Sequence, residues 1–186
     1  MKPTAVLRND HEVLRSKLTL LEGLLPLERT AHFPLREVTY SITRRLRCHL
    51  EKEEHLFALL RSRRVPQSLA LTSALLDEHQ DQRLTTTLLL DLLLNGAASP
   101  IDPIALCASH LIDGLREHMA REEAEVFPLI DQAMGERQET EALQQMREIA
   151  TRHYPEGEPQ PRPSYVRAHE HLVIQHSSCR HVACVT

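Results

Sequence analysis

HLEKEEHLFALL, residues 49–60, decides the fold. Set on a helix, it continues a stripe of Ile42, Leu46, His49, Glu53, Leu56 and Leu60, spaced three or four residues apart and therefore on one face. That face is apolar except at His49 and Glu53. A carboxylate taken out of water without a partner costs several kcal/mol, so these two residues need a reason to be there.

The same pattern recurs along the chain. Proline and glycine divide it into helical blocks: about Thr4 to Leu25, ended by Pro26; a polar connector through Pro34; about Arg36 to Arg63, ended near Pro66; Ser68, a candidate N-cap, to Asn95 and Gly96; and Asp102-Pro103 to about Met134, before Gly135. A very polar segment, Glu136 to Arg152, has the pattern of a short fifth helix packed outside the others. No window alternates as a strand. The core must be built mainly of leucine, since hydrophobic content is 41% but aromatics only 3%. The expectation is an all-α, antiparallel up-and-down four-helix bundle over residues 1–135, a peripheral helix over 136–153, and a proline-rich linker and tail over 154–186.

Each of the four long helices carries a histidine in its apolar seam. The first has Leu7, His11, Leu14, Leu18 and Leu21; the third has Leu75, Leu76, His79, Thr86 and Leu90; the fourth has Leu111, Leu115, His118, Glu122 and Leu129. Helices two and four share a word, HLEKEE and HMAREE, in which His and Glu stand one turn apart. His49, His79 and His118 lie near the middles of their helices, so antiparallel neighbours bring them to similar heights. His11 lies roughly 10 Å from the start of its own helix.

Four imidazoles and two carboxylates thus converge inside a leucine-rich bundle. Nitrogen and hard oxygen donors without thiolate suit iron or manganese better than a structural zinc. Six ligands are many for one ion and suit two, particularly if Glu53 and Glu122 bridge them. The expected cofactor is two iron ions per chain with a bridging oxo or hydroxo, leaving a position where a small diatomic can bind.

The order His11; His49 with Glu53; His79; His118 with Glu122, followed by Glu123, Phe127, Pro128 and Leu129, resembles the hemerythrin-like, or HHE cation-binding, family over about residues 4–134. Oxygen-carrying hemerythrins have a second histidine one turn after the third-helix ligand, where this chain has Arg83. The four-His, two-Glu set is more similar to the di-iron proteins linked to repair of damaged iron centres. The resemblance implies a protein that binds or reduces O2, NO or peroxide, with an electron donor, in oxidative or nitrosative stress or iron homeostasis. Enzymatic turnover, as a di-iron oxidoreductase, is one expectation; a metal- or redox-sensing or iron-handling module is the alternative. A ferritin-like carboxylate site is excluded because no histidine has a Glu three residues before it.

Glu54 and Glu123 lie about 100° round from Glu53 and Glu122 and are expected to face water or support the ligands. Glu51 and His55 are expected to face water. His110 could line the approach to the site or lie on the surface, and Arg83 either reaches out to solvent or supplies charge near a bound anion. Cys48 and Cys107 read as buried, reduced thiols. In the tail, His176, Cys179, His181 and Cys184 are metal-ligand types too closely spaced to wrap one ion. A net charge of -4 with no basic run argues against nucleic acid. Charges at Lys2, Arg8, Asp10 and Glu12 and a leucine run broken by Asp91 argue against a signal peptide or membrane span, so a cytoplasmic location is expected.

Overall fold

The computed structural model describes residues 1–65, 68–95 and 101–157, and these are helical almost throughout. The break expected at Pro26 and the tail residues His176, Cys179, His181 and Cys184 fare differently: the first is seen, while the tail ligands, like Pro66 and Gly96, lie outside the described residues. Helix α1, Pro3–Leu24, opens on a proline whose missing N–H would have had no partner there. A 3-10 run, Leu25–Ala31, leads directly into α2, His32–Ser62. Helix α2 begins earlier than Pro34 suggests, because Pro34 falls in the first turn, where backbone N–H groups lack intrahelical acceptors. It ends in a Schellman closure, with Val65 N–H on Leu60 and Arg64 N–H on Arg61, and Arg64 takes the left-handed position at φ 52°.

Helices α3, Ser68–Leu94, and α4, Ile101–Arg121, follow. The fourth predicted helix is not continuous. A π turn, Glu122–Val126, closed by Phe127 N–H on the Glu122 carbonyl, separates α4 from α5, Phe127–Ala133. Pro128 explains its position: it cannot donate to the Ala124 carbonyl and its ring would collide with it, so the turn widens. The extra residue moves the buried stripe on by one. Ile130 is fully buried, where uniform periodicity pointed to Leu129. On α3 the buried position is likewise Leu89 and not Leu90.

Side-chain pairings show how the rods run. Asp10 meets Arg45 and Lys17 meets Ser41 between α1 and α2; Glu78 meets His118 and Thr85 meets Cys107 between α3 and α4; Glu22 meets Arg116 and Thr4 meets Asp131 between α1 and the α4–α5 rod. In each case rising numbers on one helix meet falling numbers on the other. Helix α6, Glu136–His153, buries Ala142, Met146 and Ile149 against α2 and α1.

The interior has two apolar clusters. One gathers Leu14, Leu18, Leu21, Ile42, Leu46, Leu89, Leu111 and Leu115; the other gathers Leu7, Leu56, Phe57, Leu60, Leu75, Phe127 and Ile130. Residues 11, 49, 53, 79, 118 and 122 lie between them in sequence on every helix, so the bundle is two greasy ends with a polar layer in the middle.

Candidate metal centre

All six residues expected to bind metal are in that layer, each no more than 1% exposed. Facing donor atoms form two groups, His11, His49, Glu53 and Glu122, and His79, His118, Glu53 and Glu122, with the atoms of each group within 4.8 Å of one another. Each glutamate divides its two oxygens between the histidine pairs. Glu53 Oε1 lies 2.7 Å from His49 Nε2 and 3.4 Å from His11 Nε2, whereas its Oε2 lies 3.5 Å from His79 Nε2. Glu122 Oε2 is 3.4 Å from His11 Nε2, and its Oε1 is 3.4 Å from His118 Nε2.

These inward atoms are not satisfied by the protein. Both oxygens of Glu53 and of Glu122, and Nε2 of His79 and His118, have no hydrogen-bond partner, and Nε2 of His11 and His49 lie 3.1 Å from each other beside the oxygens of Glu53. Buried polar groups are otherwise almost always paired. A cluster of lone pairs and carboxylates with no donor between them is what cations would complete.

The outer side of each ring supports the same reading. Nδ1 of His11 donates to Glu123 at 2.7 Å, that of His79 to Glu54 at 3.1 Å and that of His118 to Glu78 at 2.9 Å, while His49 Nδ1 lies 3.5 Å from Asp10. A proton held on Nδ1 leaves the Nε2 lone pair free to point inward, the usual support of a metal-bound imidazole. The four carboxylates close a circle: Asp10 on α1 serves α2, Glu54 on α2 serves α3, Glu78 on α3 serves α4, and Glu123 after α4 serves α1. Each is gripped in turn by a cation from the helix it serves, Arg45 and Lys52, Arg83, Arg121 and Arg15 respectively. Arg83 therefore does not point at the centre; partly exposed, it holds Glu54 through its guanidinium at 2.5 Å.

The charges of the layer compete. Burial opposes a charge on His49, but Glu53 and Asp10 outweigh it and push its pKa up to about 10. Burial, helped by His79, draws His118 down to about 4. Burial and the charge of Glu53 push Glu122 up to about 8, while Glu53 itself, against its burial, is held well below the usual carboxylate range by His49 and His11. A cation binding here would have to displace protons from His49 and Glu122.

The family comparison agrees with this geometry: the model of the hemerythrin HHE cation-binding domain matches residues 2–130. The chain belongs to that family. A hemerythrin domain is a metal-binding module, and the His and Glu clusters here suit a metal centre, iron above all. No curated protein and no solved structure gives a significant match.

Two aromatic residues of the hemerythrin domain wall the layer, Phe127 stacked on His11 at 5.4 Å and Phe57 on His79 at 5.7 Å between ring centres. Glu54 and Glu123 are two of the four supporting acids, one of the two outcomes their angle left open. Asp10 and Glu78, Arg15, Arg45, Lys52 and Arg121 were missed. A signal was present: every supporting acid is the sequence neighbour of an inward residue, in Asp10-His11, Glu53-Glu54, Glu78-His79 and Glu122-Glu123, and each histidine has an arginine three or four residues away. Glu51, expected to face water, is half-buried and binds Arg152 and His153 of α6. His110 is on the surface with Asp81, away from the centre. Cys48 is buried and Cys107 half-buried. Among the described residues no helix is long and apolar enough to cross a membrane.

Proposed function

We propose that this hemerythrin domain is a non-haem di-iron protein, in which His11, His49, His79 and His118 with Glu53 and Glu122 hold two irons with a bridging oxo or hydroxo, and which binds or reduces O2, NO or peroxide. The observation that carries this reading is the division of each glutamate's oxygens between two histidine pairs, which suits two ions sharing both carboxylates. An iron pair would supply the electrons for reducing such a ligand. The chain's part is to position and insulate. The circle of acids fixes the tautomer and aim of His11, His79 and His118 and sets Asp10 beside His49, Glu53 and Glu122 neutralise cationic charge, and the two apolar clusters with Phe57 and Phe127 keep bulk water away. Arg83, in the place where oxygen carriers have another histidine, offers no ligand atom and is committed to Glu54. That favours chemistry with an electron donor, in stress defence or iron homeostasis within the cytoplasm, over reversible oxygen carriage.

A second reading, a metal-state sensor without turnover, has its own support. Helix α6 sits on α2 against Cys48 and Glu51, the first of them the sequence neighbour of His49, so a change around that histidine has a short route along α2 to the C-terminal segment. Mixing the diferrous protein with NO or O2 separates the two: repeated turnover with a reductant marks an enzyme, one stoichiometric event with altered proteolysis of α6 marks a sensor. The shared basis is tested by metal analysis and the near-ultraviolet spectrum of anaerobically purified protein. About two irons per chain are expected, lost in His49→Ala and His118→Ala; one zinc per chain, unchanged in both variants, contradicts it.

A further inference from the structure

Helix α6 covers α1 and α2, whereas α3 and α4 turn apolar side chains to solvent. Leu84, Leu88 and Leu106 are 70%, 54% and 75% exposed. Leu88 and Leu92 of α3 and Pro103, Leu106 and Cys107 of α4 line a groove of about 460 Å³, with His110 at one end. Acids stand at both ends of it. Along one face of α3, at three- and four-residue steps, run Asp77, Asp81, Leu84, Leu88 and Asp91; along α4, Asp102 and Pro103 lead to Leu106, His110 and Asp113. His110 meets Asp81 across the two helices, so Asp113 joins Asp77 and Asp81 at one end and Asp102 joins Asp91 at the other. These acids are exposed. The arginines of the two helices are each paired with another acid, Arg83 with Glu54, Arg121 with Glu78 and Arg116 with Glu22.

An occupant that fits is apolar in its middle and basic at both ends. A second copy of the same face would set acids against acids, which disfavours association. The chain itself contains a match. Residues 167–181 read RAHEHLVIQHSSCRH: Leu172, Val173 and Ile174 form an apolar run, Arg167 stands before it and Arg180 after it with histidines alongside both, and Glu170 is the single acid. The length of chain allows the approach. Helix α6 ends beside Tyr154, which Arg44 of α2 overlies, and α2 packs beside α3. Leu172 follows Gly157 by fifteen residues, a span of up to about 50 Å when extended. Passing round α2 to the groove takes about 35 Å, half the girth of a bundle of rods each about 10 Å thick.

We propose that residues 167–181 of this chain dock in the groove between α3 and α4, with Leu172 and Ile174 on Leu88, Leu92 and Leu106 and the two arginines toward the acids at its ends. Burial of the apolar run supplies the affinity, and the flanking charges set the register. The docked segment covers Cys107, whose side chain is part of the groove wall. Docking of this kind needs no metal, so it stands independently of the centre proposed above.

The test follows alkylation of Cys107 by N-ethylmaleimide, read by peptide mass spectrometry, in the full-length protein carrying Cys179→Ser and Cys184→Ser; Cys48 is buried. Leu172→Asp with Ile174→Asp should raise the rate at Cys107 by about tenfold or more, because the apolar run no longer gains from burial. Arg167→Glu with Arg180→Glu should also raise it, and adding Asp81→Lys and Asp91→Lys to that variant should restore the slow rate. The two aspartates are exposed, so the bundle's core is untouched by the exchange. Protection of Cys107 in the parent should not change with protein concentration. A rate that both pairs of tail substitutions leave unaltered, as another protein or nothing in the groove would give, overturns the proposal, and so does protection lost on dilution, the mark of a second copy.

Discussion

Leu14, Leu18 and Ile42 are as completely buried as Glu53, His79 and Glu122, all at 0% exposure. In the leucine layer burial is the stabilising event, since each side chain fills space that its neighbours shaped for it. In the polar layer burial opposes folding, and the side chains stay because atoms off the centre hold them in place while atoms toward it remain unmatched. Equal dryness thus conceals opposite energetics, and only the inventory of partners tells structural residues from functional ones.

Stripping metal should expose that difference most. A ligand that binds only the folded state contributes about 4 kcal/mol when its free concentration is a thousand times its Kd, so chelation should lower unfolding stability by several kcal/mol in denaturant titrations. Equal stability with and without metal would place the ions elsewhere.

Single substitutions sharpen the contrast. Leu18→Ala should cost about 2–5 kcal/mol and leave metal stoichiometry intact. Glu122→Gln should do the reverse: it replaces one oxygen of a carboxylate shared by the two positions and so prevents loading of the full pair. The metal-free form should lose no stability, because burial already drives that carboxyl to hold a proton up to about pH 8. A metal-free Glu122→Gln protein clearly weaker than its parent would show that the layer is satisfied without ions.

The pH dependence of loading follows with its sign. Metal-free His49, raised to about 10, and Glu122, raised to about 8, both carry protons at pH 7, and a cation must displace them. Uptake should release protons, and affinity should rise with pH from 6 to 8, by up to about tenfold per unit for each proton displaced. A flat profile in calorimetry across two buffers would contradict the protonation pattern. The smallest effect lies far from the centre: Arg64→Gly relieves a left-handed residue at φ 52° and should add about 1 kcal/mol without touching metal binding.

The six inward residues were legible because a polar side chain interrupting a leucine stripe is visible in one dimension. So was the helical class, from the same stripes. The supporting circle was not, because which neighbour Glu78 or Asp10 reaches depends on how adjacent helices are rotated, and a stripe does not encode that. The π turn escaped for another reason. Leu129 and Ile130 are both apolar, so a one-residue slip leaves the pattern looking regular, and only Pro128 hinted at the break. Helix α6 looked almost wholly polar, yet Ala142, Met146 and Ile149 suffice to seat it on α2 and α1.

Anomalous diffraction at the iron edge from crystals of the iron-loaded protein measures the central claim directly. Two peaks are predicted, one beside His11 and His49 and one beside His79 and His118, both flanked by Glu53 and Glu122. A single peak, or a peak among His176, Cys179, His181 and Cys184 with none in the bundle, would contradict it.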